Sequence, residues 1–158
     1  NGFSKAHAMT GLRLGYTCAP KALTDSMFKV HQYAILCAPV TSQYGGIAAL
    51  KYCDDDVAAM YKEYNERRGI IYNGLKEIGL PVFEPKGAFY IFPDITCTGM
   101  SDTEFSEQLL KEEKVAVVPG SCFGTQGNGH VRISYAASKD DIRKALVHIG
   151  AFVERHRK

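Results

Sequence analysis

Apolar residues recur every three or four positions through most of the first half of the chain. This spacing is typical of helices that bury one face. It predicts three helices, over residues 20–34, 39–53 and about 57–78, with the aspartates at 54–56 as candidate N-caps of the third. A proline opens each of the first two, where a helix needs no N–H donor, and Gly79 ends the third.

Beyond Gly79 the pattern changes to short apolar runs separated by turn residues. Ser101 and Glu104 form a capping box before a helix that ends near Glu113, and Ser138 precedes a last helix with one apolar face. The apolar runs predict strands. These are 82–84 and 88–92, which would pair as a hairpin, then 115–118 and 130–135, with one earlier strand at 12–18.

These elements predict an α/β (α+β) fold. Strands and helices alternate from about residue 80, which indicates a small, mostly antiparallel sheet covered by helices. Residues 1–50 have no sheet of their own. Because the chain opens with Asn1 inside a motif, we expect it to be a piece of a longer protein.

Composition narrows the function classes. The 158 residues carry a net charge of +2 with no basic block, which argues against a nucleic-acid partner. No apolar run is long enough for a membrane helix and no signal peptide is evident. Five cysteines without a C-x-x-C pair favour reduced thiols and a cytoplasmic location. The five histidines are scattered, so no metal site is predicted.

Lys5 and Arg13 lie eight positions apart in a segment of mostly small, uncharged residues. Such surroundings can desolvate a lysine ammonium and free the amine for Schiff-base chemistry. The guanidinium of Arg13, between Gly11 and Gly15, matches the geometry of a phosphate. Pyridoxal phosphate offers both an aldehyde and a phosphate. An exposed surface pair or a structural anion site is the alternative.

The whole segment resembles the lysine motif of the fold-type I, class I/II aminotransferases. It contains Ser4-Lys5, then Met9-Thr10-Gly11, Arg13 and Gly15-Tyr16. The resemblance implies that Lys5 binds pyridoxal 5'-phosphate as a Schiff base and acts as the catalytic base. It also implies that Arg13 holds the phosphate. Gly2 stands where the family usually has a serine that bonds the phosphate.

Arg132 lies among apolar residues on the predicted strand 130–135, where it could simply face water. With the upstream run from Pro119 to Gly124, however, it resembles a second segment of the same family. The resemblance implies that Arg132 binds the substrate α-carboxylate through a bidentate pair, a geometry that lysine cannot provide.

The resemblance further implies two domains, with 1–50 as a remnant of the large cofactor-binding domain and 51–158 as the small C-terminal domain with its connecting helix. The implied function is an aminotransferase, using an L-amino acid and a 2-oxo acid and working as a homodimer. The family's other cofactor contacts precede the lysine. We therefore expect this chain alone to have little or no activity.

Two other functions on the same scaffold remain open. A pyridoxal-phosphate-dependent C–S β-lyase would use the same lysine and arginines. An aminotransferase-like domain of a transcription regulator usually has a proline before the segment that here reads Leu12-Arg13-Leu14-Gly15-Tyr16, whereas this chain has Met9-Thr10-Gly11. The amino-acid substrate is not predicted.

Overall fold

The computed structural model describes every residue from Asn1 to Lys158 and confirms the α/β class. It divides into two compact units, Asn1–Tyr61 and Lys62–Lys158. The helices are α1 (Lys21–Ala34), α2 (Val40–Tyr52), α3 (Asp54–Glu77), α4 (Asp102–Glu113) and α5 (Lys139–His156). The strands are β1 (Tyr90–Ile91), β2 (Val118–Pro119) and β3 (Val131–Ser134). None of the helices combines the length and apolarity needed to cross a membrane.

The first unit contains α1, α2 and the beginning of α3, and its helices confirm the predicted positions. The expectation of a buried face fails for α1, because none of its residues is buried within this chain and Val30 is 71% exposed. Helix α2 instead buries Ser42, Gly46 and Ala49. A Cβ on Gly46 would lie 2.6 Å from Leu14 Cδ2, so only glycine lets the N-terminal loop pack this closely on α2.

The predicted strand over residues 12–18 is wrong. Residues Thr10–Leu12 form a 3₁₀ turn, and Gly15 makes only an isolated antiparallel bridge to Gly2. The physical reason lies at Arg13, whose φ of 52° and ψ of 46° place it in the left-handed region, so the backbone cannot run extended through it.

The second unit has one continuous apolar core between the sheet and three helices. Phe105 of α4 and Phe152 of α5 meet there edge to face, with ring centroids 5.2 Å apart, and both are at most 1% exposed. The helix α4 starts at the predicted capping box, in which Ser101 and Glu104 bond each other's backbone N–H. Ser138 caps α5 as predicted.

The sheet is antiparallel, as predicted, with the order β1-β3-β2, but the predicted local hairpin is wrong. Residues 82–84 are not in a strand, and β1 pairs with β3 through Tyr90 opposite Ser134 and Ile91 opposite Ile133. The carbonyl groups just before β1 accept hydrogen bonds from Tyr135, a distant residue, and not from residues 82–84. Tyr135 donates its N–H to Phe89 O at 2.9 Å and its hydroxyl to Ala88 O at 3.1 Å.

The predicted strand 115–118 is shorter in the structure. Only Val118 and Pro119 pair with β3, opposite Arg132 and Val131. Lys114 ends α4 with a φ of 57°, and the three residues after it connect the helix to the sheet. The predicted strand at 130–135 is confirmed as Val131–Ser134 and is the central strand.

Candidate functional site

The candidate residues lie in different units. Lys5 and Arg13 belong to the first, and Arg132 belongs to the second. The segment 1–16, here called the lysine loop, is closed at its ends by hydrogen bonds. The main-chain nitrogen of Asn1 donates to Tyr16 O at 2.8 Å, Tyr16 N–H donates to Asn1 O at 2.8 Å, and Phe3 N–H donates to Leu14 O at 3.2 Å.

Within the lysine loop, Lys5 lies in a turn stabilised by main-chain bonds. Phe3 O accepts from the N–H groups of His7 and Met9, both at 3.3 Å, and Lys5 O accepts from Ala8 N–H at 3.2 Å. Phe3 itself is buried and anchors the turn. The side chain of Lys5 is exposed, so the residues of this chain do not supply the burial that was expected to desolvate its ammonium.

Arg13 is held in its left-handed conformation by two anchors. Its Nη1 donates to Thr10 O at 3.2 Å, and the hydroxyl of Ser42 donates to Leu12 O at 2.6 Å. No carboxylate of the chain forms a salt bridge with Arg13, and its side chain is exposed. An arginine without an acidic partner is able to bind an anion such as phosphate.

Ser42 helps to hold the backbone beside Arg13, and the sequence pattern does not reveal this role. It is 3% exposed and lies in the first turns of α2, thirty residues from the carbonyl that it bonds. A serine near a helix start has many possible roles, so its position along the chain carries no signal of this long-range bond.

Arg132 extends from the central strand β3 and is partly buried. Its guanidinium carbon lies 4.4 Å from the centroid of the Tyr90 ring and 4.6 Å from that of the Phe123 ring. These three side chains are here called the arginine clamp. No carboxylate or hydrogen-bond acceptor of the chain pairs with Arg132, so its N–H donors face no competing protein anion.

The two rings reach Arg132 from opposite edges of the sheet, one from a strand and the other from a turn. Tyr90 lies in β1 opposite Ser134, which places it diagonally to Arg132 on the same face. Phe123 ends the 3₁₀ turn Gly120–Phe123 that follows β2. Sequence reasoning assigns Tyr90 no catalytic role and places Phe123 only within a motif, because the contact depends on the pairing of distant strands.

Comparison with known proteins identifies the family. The model of the family described as aminotransferase class I and II matches residues 1–149. The chain is 50% identical over 155 residues to a putative aminotransferase, YugH, of Bacillus subtilis (strain 168), covering 98% of this chain and 40% of that protein. It is 48% identical over 150 residues to an aspartate aminotransferase of Pyrococcus abyssi, covering 92% of this chain and 38% of that protein.

A solved structure described as an aromatic aminotransferase from Pyrococcus horikoshii OT3 superposes with a TM-score of 0.92 at 44% identity. The superposition covers 98% of this chain and 42% of that one. The chain thus spans about two fifths of the length of the relatives that it matches. With nearly all of its residues matched in both sequence and structure, the chain belongs to the class I and II aminotransferase family.

Proposed function

We propose that this chain provides the reactive lysine and two anion-binding arginines of a pyridoxal-phosphate-dependent aminotransferase. The reaction would move an amino group between an L-amino acid and a 2-oxo acid. The observation that supports it most is the arginine clamp, because Arg132 carries its charge beside two aromatic rings with no carboxylate of its own chain to neutralise it. That is the arrangement needed to bind a substrate carboxylate.

The residues of the lysine loop fit the cofactor chemically. Lys5 offers an amine on an exposed side chain, and Arg13 offers a guanidinium without an acidic partner on the same closed loop. When bound, pyridoxal phosphate supplies an aldehyde that condenses with amines and a ring that accepts the electron pair released at the substrate Cα. Arg13 would bind the phosphate of the cofactor.

Lys5 would have two tasks. Its Nζ would first hold the cofactor through a Schiff base. Its Nζ would also act as a general base that takes the proton from the substrate Cα, and then as a general acid that gives this proton back. Arg132 would meanwhile fix the α-carboxylate in a bidentate pair, which orients the Cα–H bond. Its guanidinium is suited to this task because its donors lie in one plane.

We further propose that residues 1–50 are part of a large cofactor-binding domain and that 51–158 form the small domain. We also propose that the whole protein is a cytoplasmic homodimer. All five cysteines are free thiols, which is compatible with a reducing compartment.

Helix α1 exposes apolar residues, such as Val30 at 71% and Tyr33 at 89%, that a second polypeptide surface would cover. Sedimentation of the whole protein would test the dimer.

The experiment that tests the function is covalent labelling of the whole protein. It would be loaded with pyridoxal phosphate, reduced with borohydride and digested, and its peptides analysed by mass spectrometry. We expect the label on Lys5, none after Lys5→Ala, and full labelling after Lys29→Ala, since Lys29 is another exposed lysine of the same unit. Labelling elsewhere, with Lys5 untouched, would contradict the proposal.

Product analysis would then separate the reactions. Aspartate and aromatic amino acids with 2-oxoglutarate are the first substrates to test, because relatives bear those names. We expect glutamate and the matching 2-oxo acid. Release of pyruvate and ammonia from cysteine conjugates, without glutamate, would favour the C–S β-lyase instead.

A further inference from the structure

The carboxylate of Asp102 has a partner outside its own helix. Asp102 is the first residue of α4 and is only 6% exposed. Ser101 and Glu104 already form the cap of α4, so Asp102 is not needed for that purpose. Instead, its Oδ2 accepts the backbone N–H of Ser121 at 2.6 Å. Hydrogen bonds from Ser121 lower the pKa of Asp102, as expected for a carboxylate held by donors.

The bond from Ser121 ties α4 to the turn that carries Phe123. On its other side the same turn is fixed to the sheet by Gly120 N–H, which donates to His130 O at 2.9 Å. A Cβ on Gly120 would lie 2.1 Å from Gly127 O, so the two halves of the loop touch through their backbones. The position of the turn is therefore set by main-chain contacts and by Asp102.

Phe123 depends on this turn for its placement. Its side chain is 51% exposed, so burial alone does not hold the ring. Its aromatic contact besides Arg132 is an edge-to-face one with Phe92, at a centroid distance of 6.1 Å. The position of a half-exposed ring depends on the backbone that carries it.

Arg132 depends in turn on the two rings. Its side chain has several rotatable bonds, and Tyr90 and Phe123 are the aromatic rings that contact its guanidinium within the chain. Without a hydrogen bond or salt bridge to hold it, the guanidinium keeps one orientation only while both rings stay in place. Orienting a flexible side chain before binding reduces the entropy lost on binding.

We propose that Asp102 is a positioning residue for Arg132. By holding the N–H of Ser121, it fixes the turn Gly120–Phe123 and places the Phe123 ring against the guanidinium, which is then oriented for a planar carboxylate. The inference rests on the proposed role of Arg132 in substrate binding. Its structural part can nevertheless be tested without any substrate or cofactor.

The test measures the side-chain Nε–Hε resonance of Arg132 by NMR in the ¹⁵N-labelled chain. Aromatic rings beside a guanidinium shift this resonance away from its position in an unfolded arginine. We expect Asp102→Ala to move it toward the unfolded position, and Asp102→Asn to restore much of the shift because the amide oxygen can still accept. Glu104→Gln, a carboxylate change in the same first turn of α4, should leave the resonance in place.

A second variant keeps the test decisive if Asp102→Ala does not fold. Ser121→Pro removes the donor from the other end of the bond, on an exposed residue. We expect the same displacement of the Arg132 resonance. An unchanged resonance in a folded Asp102→Ala or Ser121→Pro protein would overturn the proposal.

Kinetics of the whole protein would distinguish this inference from the proposed function. We expect Asp102→Ala to raise KM for the amino acid and for the 2-oxo acid about two- to tenfold, with kcat nearly unchanged. Glu104→Gln should change neither. If Arg132→Gln left KM unchanged, the proposed function of Arg132 would fail. If Arg132→Gln raised KM while Asp102→Ala had no effect, only the role of Asp102 would fail.

Discussion

Lys139 joins the first turn of α5 to α3, since its Nζ lies 2.8 Å from Glu63 Oε2 and 2.5 Å from Glu66 Oε2. The hydrogen bonds that it donates to Glu63 and Glu66 raise the pKa of Lys139, so it stays charged at neutral pH. Lys139 and the two glutamates are partly exposed, and ion pairs in contact with water contribute little each. The arrangement is a small network, however, because Arg67 also bonds Glu63.

Lys139→Met should therefore lower the urea midpoint of the second unit slightly, and the loss should shrink as salt is added. The matched control is Lys144→Met on the same helix, whose lysine is exposed and has no salt bridge. Unfolding followed by circular dichroism would measure both. Equal midpoints for the two variants would show that the network contributes nothing.

The lowered pKa of Glu84 should make the free energy of unfolding depend on pH. Hydrogen bonds from Lys86 and Arg68 lower its pKa from 4.5 to about 2. Because the folded pKa lies below the unfolded one, the stabilisation is complete above pH 4.5 and is lost as the pH falls toward 2. Glu84→Gln should therefore be less stable than the parent at pH 6, and the difference should vanish near pH 2.

Urea unfolding at a series of pH values would measure that difference. Glu154→Gln, a change of an exposed carboxylate that has no salt bridge, serves as the control and should track the parent throughout. A constant gap between Glu84→Gln and the parent over the whole pH range would contradict the assignment.

Two glycine substitutions should have opposite effects. A Cβ on Gly127 would lie 1.9 Å from Gly120 O, so Gly127→Ala must push backbone apart and should cost about 1–3 kcal/mol. Gly69 lies inside α3, and a methyl group added there would meet nothing within 4 Å, so Gly69→Ala should stabilise by up to about 1 kcal/mol. Thermal unfolding would reveal the opposite signs, and a neutral Gly127→Ala would show that the loop adapts freely.

Ser42→Ala should loosen the lysine loop. The variant loses the hydroxyl that bonds Leu12 O at 2.6 Å, at a cost of about 1 kcal/mol. We expect faster hydrogen exchange at Phe3 N–H, which bonds the neighbouring Leu14 O. Ser26→Ala, which removes a hydroxyl bond within the exposed helix α1, should leave that exchange rate unchanged.

The 158-residue chain by itself should show little or no transaminase activity. Lys5 is exposed here, so the isolated chain lacks the buried surroundings that would hold a cofactor and substrate against its amine. Incubation with pyridoxal phosphate, an amino acid and 2-oxoglutarate would measure this, with the whole protein as positive control. Sustained turnover by the isolated chain would refute the expectation.

The helices could be predicted from the sequence, whereas much of the sheet could not. The spacing of apolar residues, the capping residues and the glycines at helix ends are local signals. The first two predicted the positions of α4 and α5 closely. The pairing of β1 with β3 joins residues more than forty positions apart, so the local hairpin pattern at 82–92 was misleading. Similarly, the left-handed conformation of Arg13 has no signal in its residue type.

The candidate site, too, could be predicted from the sequence only in part. Lys5, Arg13 and Arg132 were found from residue chemistry and a family resemblance, and their roles remain predictions. The rings around Arg132 and the bond from Ser121 to Asp102 were missed. Each depends on elements brought together by the folded core, and neither residue spacing nor composition encodes that contact.

The back-to-back contact between Gly120 and Gly127 has a consequence for protein engineering. Since the carbonyl of each glycine occupies the space that a methyl group on the other would need, a second substitution cannot rescue the first. A library that randomises this loop should keep both glycines. It should vary the solvent-facing residues between them, such as Cys122, Thr125 and Gln126, which are exposed.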